Sequence, residues 1–233
     1  MPAFFVLIEM VSIKNFWAKD SGFIWLLALT VASIILNQFS IGNVWAEFFI
    51  IRLTFFLFTF IAIASSALSP TTKKIGYTVA ILLLIFALGM IESTNRNLII
   101  IHGTLVSTYM IFILAMVVSQ IFEGEKMTVS KIAGGVAVYI LIGHIWASLY
   151  LTNYLLNPSA ILEGGEPIEM DQSLRKLSYF SFVTLTTIGY GDITAAAPFT
   201  RVLVILEGLL GQLFPAIFIA KLVSLQIEHS KKR

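Results

Sequence analysis

The stretch "TLTTIGYGD", Thr184–Asp192, decides the fold of this chain. It contains three threonines, two glycines and an aspartate, yet apolar segments flank it on both sides. Non-helical backbone at membrane depth is tolerated only where protein or water covers it. If the flanking segments cross a membrane, the stretch therefore predicts a re-entrant loop that lines a polar pathway.

The composition indicates a membrane protein. Of the 233 residues, 58% are hydrophobic and 12% are charged, and the mean hydropathy is +0.92. Soluble domains carry about 25% charged residues, so lipid must cover most of this surface. The net charge of +2 is too small to suggest nucleic-acid binding, and the absence of cysteine excludes disulfides and thiolate metal sites.

Six segments are apolar and long enough to cross a bilayer, which takes a helix of about 20 residues. They are 22–39, 44–67, 75–93, 98–121, 132–155 and 200–226, and the motif "SPTTKK" is interpreted as one of the breaks between them. Lysine and arginine concentrate on the cytoplasmic side of membrane proteins. Most of them here fall on one predicted side, at Lys14, Lys19, Lys73, Lys74, Lys126, Lys131, Lys231, Lys232 and Arg233. The short loops on the other side carry only Arg96, and the long insert adds Arg175, Lys176 and Arg201, which its acidic residues offset. We therefore expect a multi-pass protein of the cell (plasma or inner) membrane with both termini in the cytoplasm.

A long insert separates the last two spans and ends in the opening stretch. Its segment "LRKLSYFSFVTLT" is mostly apolar but too short to span, so it predicts a helix that enters half of the membrane. Gly189 and Gly191 permit positive φ, and alternating backbone handedness turns successive carbonyls to the same side. We expect a column of oxygens at 187–190, with the Thr187 hydroxyl at its inner end, that can replace the water shell of a cation.

The motif "TTIGYGD" resembles the selectivity filter of potassium channels, with Ile188 where the family often has valine. Span, turret, short helix, filter and span follow in the family's order. The resemblance implies that K⁺ ions, the expected cofactor, bind the backbone carbonyls of Thr187, Ile188, Gly189 and Tyr190 and the Thr187 hydroxyl. A ring needs four filters and the chain contains one, so a homotetramer is implied. The other expected partner is membrane lipid, and no nucleic acid is expected.

This resemblance divides the chain into three parts. Residues 1–21 are expected to form a cytoplasmic or interfacial segment, and 22–130 a four-helix transmembrane domain. Residues 131–233 are expected to form the pore domain. Its parts are an outer helix at 132–155, a turret at 157–171, a pore helix at 172–186, the filter at 187–192 and an inner helix at 200–226.

Four residues are expected to support the filter, namely Thr186, Gly191, Asp192 and Tyr179. Tyr179 aligns with a hydrogen-bonding tryptophan of many relatives, whereas Val183 replaces the buried glutamate of some bacterial members. Asp192 either accepts a hydrogen bond from Tyr179 or simply faces solvent. In the turret, Glu163, Glu166, Glu169 and Asp171 either raise the local cation concentration as an acidic ring or belong to an ordinary solvated loop.

The inner helix contains Gly208, Gly211 and Pro215, which favour a kink. By resemblance, Gly211 aligns with a gating hinge, and the alternative is close helix packing through small residues. Glu207 is an ionisable group inside a span, and such groups are usually functional. It either forms hydrogen bonds behind the filter or provides a cation site in the cavity, which Gln212 is also expected to face.

The first four spans differ from those of voltage-gated channels. Residues 98–121 contain no arginine or lysine, so we predict no steep charge-driven voltage dependence. Glu47 and Arg52 are interpreted as a structural pair, with a lipid or small-ligand site as the alternative. The three histidines fall in different segments, His144 is expected to be a packing residue, and we expect no enzymatic activity.

The sequence therefore predicts an all-α membrane protein with six transmembrane helices and a re-entrant pore helix and filter loop, assembled as a tetrameric ion-channel pore. The predicted function is passive, potassium-selective conduction that is not gated by an arginine-rich voltage sensor. The alternatives are a weakly selective cation channel of the same fold and a non-conducting membrane sensor or scaffold.

Overall fold

A computed structural model of the chain describes residues 22–39, 55–64, 69–89, 95–122 and 128–231. The expected interfacial segment at 1–21 and the Glu47–Arg52 pair lie outside these residues. The helices are α1 (Gly22–Phe39), α2 (Phe55–Ala64), α3 (Pro70–Gly89), α4 (Arg96–Phe122), α5 (Val129–Leu156), α6 (Ser173–Leu185) and α7 (Pro198–Lys231).

Five of the described helices, α1, α3, α4, α5 and α7, are long and apolar enough to cross a membrane. Helix α2 is a shorter apolar helix within the predicted second span, 44–67, of which the structure describes only part. Five spans are therefore supported by length and composition, and the sixth stays a prediction.

The motif "SPTTKK" starts a helix, which corrects its interpretation as a break. Helix α3 begins at Pro70, whereas the predicted span begins at 75. Proline suits the first helical turn because its missing N–H would have no partner there. The side chain of Ser69 accepts a hydrogen bond from the Thr72 amide at 3.2 Å, as an N-cap residue does.

Helix α5 lies at the centre of the fold, in contact with α1, α4, α6 and α7. Two glycines of α5 admit aromatic rings from neighbouring helices. A Cβ on Gly135 would lie 2.1 Å from the Phe218 ring of α7, and one on Gly143 would lie 2.5 Å from the Phe182 ring of α6. Both distances are far below van der Waals contact, so the absence of a side chain allows α6 and α7 to approach α5.

A small three-stranded sheet interrupts the otherwise helical chain, and the sequence analysis did not predict it. Its strands are β1 (Ile161–Glu163), β2 (Glu166–Pro167) and β3 (Ile193–Ala195), in the order β2-β1-β3. Gly164 and Gly165, with φ of 58° and 95°, form the two-residue turn between β1 and β2. Such hairpin turns need positive φ at both central residues, which glycine provides.

The two helices that flank residues 186–197 have nearly the expected bounds. Helix α6 has 13 residues, and the sequence predicted 172–186. Helix α7 has 34 residues, extends past the predicted 200–226 at both ends, and continues through Pro215. Since β1 pairs antiparallel with both β2 and β3, the sheet joins the turret to the chain just after the filter.

Candidate functional site

The backbone of the predicted filter, residues 187–192, which is called the filter below, alternates in handedness. Thr187, Gly189 and Gly191 have φ of 59°, 57° and 80°, whereas Ile188 and Tyr190 have no positive φ. Thr187 is the only non-glycine residue with positive φ in the described part of the chain. Positive φ is strained for a β-branched residue, and such strain persists only where the surroundings impose it.

The inner end of the filter is tied to the last turn of α6. The amides of Ile188 and Gly189 both donate to the Val183 carbonyl, at 3.0 and 3.3 Å, and the Thr187 amide donates to the Thr184 carbonyl at 2.9 Å. The Thr186 hydroxyl donates to the Phe182 carbonyl at 2.6 Å. The filter therefore leaves α6 at its carbonyl end, where the helix dipole is negative and favours a cation.

Residues 186–192 are exposed in the single chain. Among them, Ile188 is 55% exposed and Tyr190 is 70% exposed. Both side chains are large, and they are exposed although the backbone at 187–189 is hydrogen-bonded to the last turn of α6. One chain thus presents a fixed filter backbone with no other part of the described chain covering it.

The outer end of the filter is held by Asp192. The Tyr179 hydroxyl of α6 donates to Asp192 Oδ2 at 2.8 Å, which is the hydrogen-bonded alternative of the sequence analysis. The Asp192 carbonyl accepts from the Gly164 amide of the turret at 3.2 Å. The hydrogen bond to Asp192 raises the pKa of the Tyr179 hydroxyl, because it stabilises the protonated form that donates.

Two carboxylates of the turret have side-chain partners, one of them charged. Lys176 of α6 forms an ion pair with Glu163 at 2.5 Å, and Gln172 donates to the Glu169 carboxylate at 2.6 Å. Glu166 is exposed, and Asp171 is described by its backbone alone. Glu163 therefore acts as a tether between β1 and α6 rather than as a free charge of an acidic ring.

Glu207 is buried behind α6, which corrects its interpretation as a cavity residue. Its exposure is 0%, and its carboxylate oxygens contact the Tyr150 hydroxyl of α5 at 2.6 Å and the Ser181 hydroxyl of α6 at 2.5 Å. These contacts correspond to the alternative of hydrogen bonding behind the filter. Gln212, in contrast, is exposed in the single chain, as a residue facing a cavity would be.

The contact between α7 and the end of α6 depends on Gly211. A Cβ on Gly211 would lie 1.9 Å from the Leu185 carbonyl oxygen, whereas one on Gly208 would have no atom within 4 Å. The Tyr139 hydroxyl of α5 lies 3.0 Å from the same Leu185 oxygen and 3.4 Å from the Gly211 oxygen. Gly211 thus has the close-packing role that was the alternative to a hinge, and Gly208 does not have it within one chain.

Three residues with these roles were missed by the sequence analysis, namely Tyr139, Tyr150 and Ser181. A signal was available, because a tyrosine hydroxyl inside an apolar span needs a hydrogen-bond partner. The signal does not identify that partner, which depends on how the helices pack. His144, in contrast, matches its expected packing role: it is partly buried, and its ring nitrogens contact Ser33 Oγ at 2.9 Å and the Ile140 carbonyl at 3.0 Å.

One comparison with known proteins matches the last part of the chain. A family model described as "Ion channel" matches residues 127–227, which is less than half of the chain. No curated protein and no solved structure matches the chain. The match and the apolar helices together indicate a helical membrane protein that is an ion channel, and this suggests a non-enzymatic transporter.

Proposed function

We propose that this ion channel is selective for potassium, and that four copies of the chain each contribute residues 187–190 to one filter. The alternating sign of φ at Thr187, Gly189 and Gly191 is the observation that supports the proposal best. Alternation of this kind turns consecutive carbonyls to the same side of a strand. Four such strands around an axis would present rings of oxygens at which a dehydrated K⁺ ion is held, with the Thr187 hydroxyl adding the innermost ring.

The exposure of the filter supports an assembly. Ile188 and Tyr190 are more than half exposed in one chain, although apolar side chains gain free energy when neighbouring surfaces cover them. In the proposed tetramer the adjacent copies cover these side chains, while the carbonyls face the axis. Gly191, Asp192, Thr186 and Tyr179 are proposed to hold this strand in place at its two ends.

The local electrostatics support a cation as the transported ion. Helix α6 directs its carbonyl end toward the inner end of the filter, and four such ends would add their partial negative charges at the axis. Gln212 is proposed to line the cavity below. No potassium site is assigned to Glu207, because its carboxyl group is buried against α5 and α6.

The membrane orientation follows from the same arrangement. We infer that the small sheet and the turret lie outside the cell or in the periplasm, and that both termini lie in the cytoplasm. The distribution of lysine and arginine supports this orientation. Transport is then passive, and its direction depends only on the potassium gradient and the membrane potential.

The proposal is tested by flux from liposomes that contain the purified full-length protein, with K⁺ and Na⁺ compared. Gly189→Ala places a side chain at φ of +57° in the filter, and we expect it to abolish selective K⁺ flux. Gly165→Ala is the control: its φ is also positive, at +95°, neither added Cβ has an atom within 4 Å, and it lies in the turret next to Gly164, whose amide holds Asp192. The control is expected to retain selective flux despite its own backbone strain.

The other possible outcomes identify the competing functions. Comparable Na⁺ and K⁺ flux would indicate a weakly selective cation channel of the same fold. Absence of flux from an assembled tetramer across a range of voltage, pH and lipid composition would favour a non-conducting sensor or scaffold. Loss of flux in both glycine variants would mean that the loss in Gly189→Ala comes from backbone strain in general. It would then give no evidence for a filter at residues 187–190.

A further inference from the structure

Two oxygen–oxygen contacts join Glu207 to α5 and α6, and a third joins its partner Ser181 to α5. Tyr150 OH lies 2.6 Å from Glu207 Oε2, and Ser181 Oγ lies 2.5 Å from Glu207 Oε1 and 2.8 Å from the Gly143 carbonyl oxygen. All three distances are those of O–H···O hydrogen bonds, so each contact needs a hydrogen between its two oxygens. The number of available hydrogens depends on the protonation state of Glu207.

An ionised Glu207 leaves this group one hydrogen short. The Tyr150 hydroxyl and the Ser181 hydroxyl each supply one hydrogen, and a carboxylate and a carbonyl supply none. If Ser181 donates to Glu207, its contact with the Gly143 oxygen has no hydrogen. If it donates to Gly143, the 2.5 Å contact with Glu207 Oε1 brings two oxygens together with no hydrogen between them.

A protonated Glu207 satisfies every contact. The proton on Oε1 is donated to Ser181 Oγ, Ser181 donates its own hydrogen to the Gly143 carbonyl, and Tyr150 donates to Oε2. Three hydrogens then serve three contacts, and Ser181 uses both its donor and its acceptor capacity. We propose that Glu207, Ser181 and Tyr150 form a proton-binding site, in which the neutral carboxyl group of Glu207 joins α7 to α5 and α6 behind the filter.

The described partners of Glu207 are hydroxyl groups, and none of them carries a positive charge. The titratable groups that interact with Glu207 are Tyr150 and Tyr139, both on α5. His144 of α5 instead contacts Ser33 Oγ and the Ile140 carbonyl, and strand β3, which also packs on α7, contains no titratable residue. On α6, Lys176 pairs with Glu163 and lies five residues before Ser181, or about 7–8 Å along the helix. On α7, Arg201 donates to the Ala195 carbonyl and Lys221 is exposed.

The proton has a structural consequence for the pore. Ser181 lies on α6 two residues before Val183, whose carbonyl binds the amides of Ile188 and Gly189. Loss of the proton leaves a buried, unpaired carboxylate beside α6, and such a charge is strongly destabilising unless the helices move apart and admit water. We therefore expect ion flux to fall as pH rises through the titration of Glu207.

Infrared spectroscopy of the purified full-length protein tests the proton directly. Ordinary aspartate and glutamate side chains have pKa values of about 3.9 and 4.3 and are ionised at neutral pH. We expect a protonated-carboxyl absorption that persists at pH 7 and is absent in Glu207→Gln. Glu166→Gln, which removes an exposed turret carboxyl, is the matched control and should retain the band. A wild-type spectrum without the band, or a band that Glu207→Gln leaves unchanged, overturns the proposal.

Two conservative variants test the hydrogen-bond partners while keeping the carboxyl group. Ser181→Ala and Tyr150→Phe each remove one hydrogen-bond partner, so the carboxyl band should remain and move to higher frequency. An unmoved band in both variants would contradict the proposed geometry. These two variants also keep the proposal testable if Glu207→Gln does not fold.

The effect on transport is measured separately from the proton itself. In Glu207→Gln the new amide nitrogen would donate to Ser181 and the amide oxygen would accept from Tyr150, so this variant would reproduce the neutral acid at any pH. We expect wild-type flux to decrease with rising pH and Glu207→Gln flux to be independent of pH. Equal pH dependence in both proteins would overturn the link to flux. The infrared result does not depend on potassium selectivity, so the two proposals can fail independently.

Discussion

Tyr179 and Asp192 show how a single hydrogen bond can determine the outer shape of the filter. Asp192 is the last residue of the stretch "TTIGYGD", and beyond it the chain enters β3. Its carboxylate accepts from Tyr179 on α6 at 2.8 Å, and its carbonyl accepts from the turret amide of Gly164 at 3.2 Å. The outer end of the filter is therefore held from two sides, by the pore helix and by the turret.

We predict that Tyr179→Phe shortens the time for which the filter stays in its conducting conformation. The substitution keeps the ring and removes only the donor to Asp192, so the outer end of the filter loses one of its two attachments. Flux through reconstituted channels should then decline faster during sustained conduction. Tyr77→Phe, which removes a hydroxyl from α3 away from the filter, is the control. Unchanged flux and an unchanged rate of decline in Tyr179→Phe would rule out a role for this bond.

Gly211 and Gly208 form a pair of tests for the contact between α7 and α6. In Gly211→Ala the new Cβ meets the backbone oxygen of Leu185 at 1.9 Å, and a backbone atom cannot rotate away. Overpacking costs about 1–3 kcal/mol or more, so we predict a lower thermal stability. Gly208→Ala meets no atom within 4 Å and should keep or raise the stability, because alanine is favoured over glycine in helices by about 1 kcal/mol.

The result also separates packing from hinge motion at Gly211. A pure hinge would respond to alanine with altered opening at unchanged stability, because only its flexibility would be lost. Equal thermal stability of the two alanine variants, measured in the same detergent, would contradict the close contact with Leu185.

At the scale of whole elements, helix α7 lacks one of its backbone hydrogen bonds, and a hydroxyl group from another helix lies near the carbonyl concerned. Pro215 has no N–H, so it cannot bond to the carbonyl four residues earlier, which belongs to Gly211. The Tyr139 hydroxyl of α5 lies 3.4 Å from that carbonyl and 3.0 Å from the Leu185 carbonyl at the end of α6. The Tyr139 hydroxyl thus lies between the Gly211 carbonyl of α7 and the C-terminal end of α6, which leads into the filter.

A double-mutant cycle can measure this arrangement. Pro215→Ala restores the amide that bonds to the Gly211 carbonyl, so the Tyr139 hydroxyl has less to contribute there. We predict that Tyr139→Phe costs less stability in the Pro215→Ala background than in the wild type, with a coupling energy of about 0.5–1 kcal/mol. Thermal unfolding of the four proteins gives this difference. Equal costs in both backgrounds would mean that Tyr139 serves only Leu185.

At the scale of the whole molecule, the sequence predicted well the features that depend on composition and local pattern. Apolar length predicted the helices α1, α4 and α5 to within three residues at each end. The predicted pore helix at 172–186 differs from α6 by one residue at each end. The expected positive φ at Gly189 and Gly191 appears in the structure because glycine adopts it without steric cost.

The features that the sequence analysis missed depend on contacts between distant residues or on a local signal that was overlooked. The pairing of β1 with β3 joins residues about 30 apart, and no periodicity in either short segment predicts it. The partner of Glu207 required knowledge of how α5 and α6 pack. The β1–β2 hairpin was different, because "EGGE" is a turn signal in its own right. Thr187 also differed, since its positive φ is imposed by its surroundings and not by its residue type.

Helix α4 carries almost no charge, and this determines the expected response of the channel to voltage. Arg96 is the first residue of α4, and the rest of the helix to Phe122 contains no lysine, arginine, aspartate or glutamate. Each elementary charge that crosses the membrane contributes about 2.3 kcal/mol per 100 mV, which changes an equilibrium about 50-fold. A movement of α4 within the membrane would carry almost none of this energy.

We therefore predict that open probability changes little with voltage. Single-channel recording in planar bilayers with equal K⁺ on both sides measures it, and Gly189→Ala protein supplies the background in the same bilayers. A wild-type open probability that varies less than about threefold over 100 mV agrees with a helix that moves less than one charge per tetramer. A change of several orders of magnitude would require gating charges in another part of the chain, because α4 carries no lysine, arginine, aspartate or glutamate beyond Arg96.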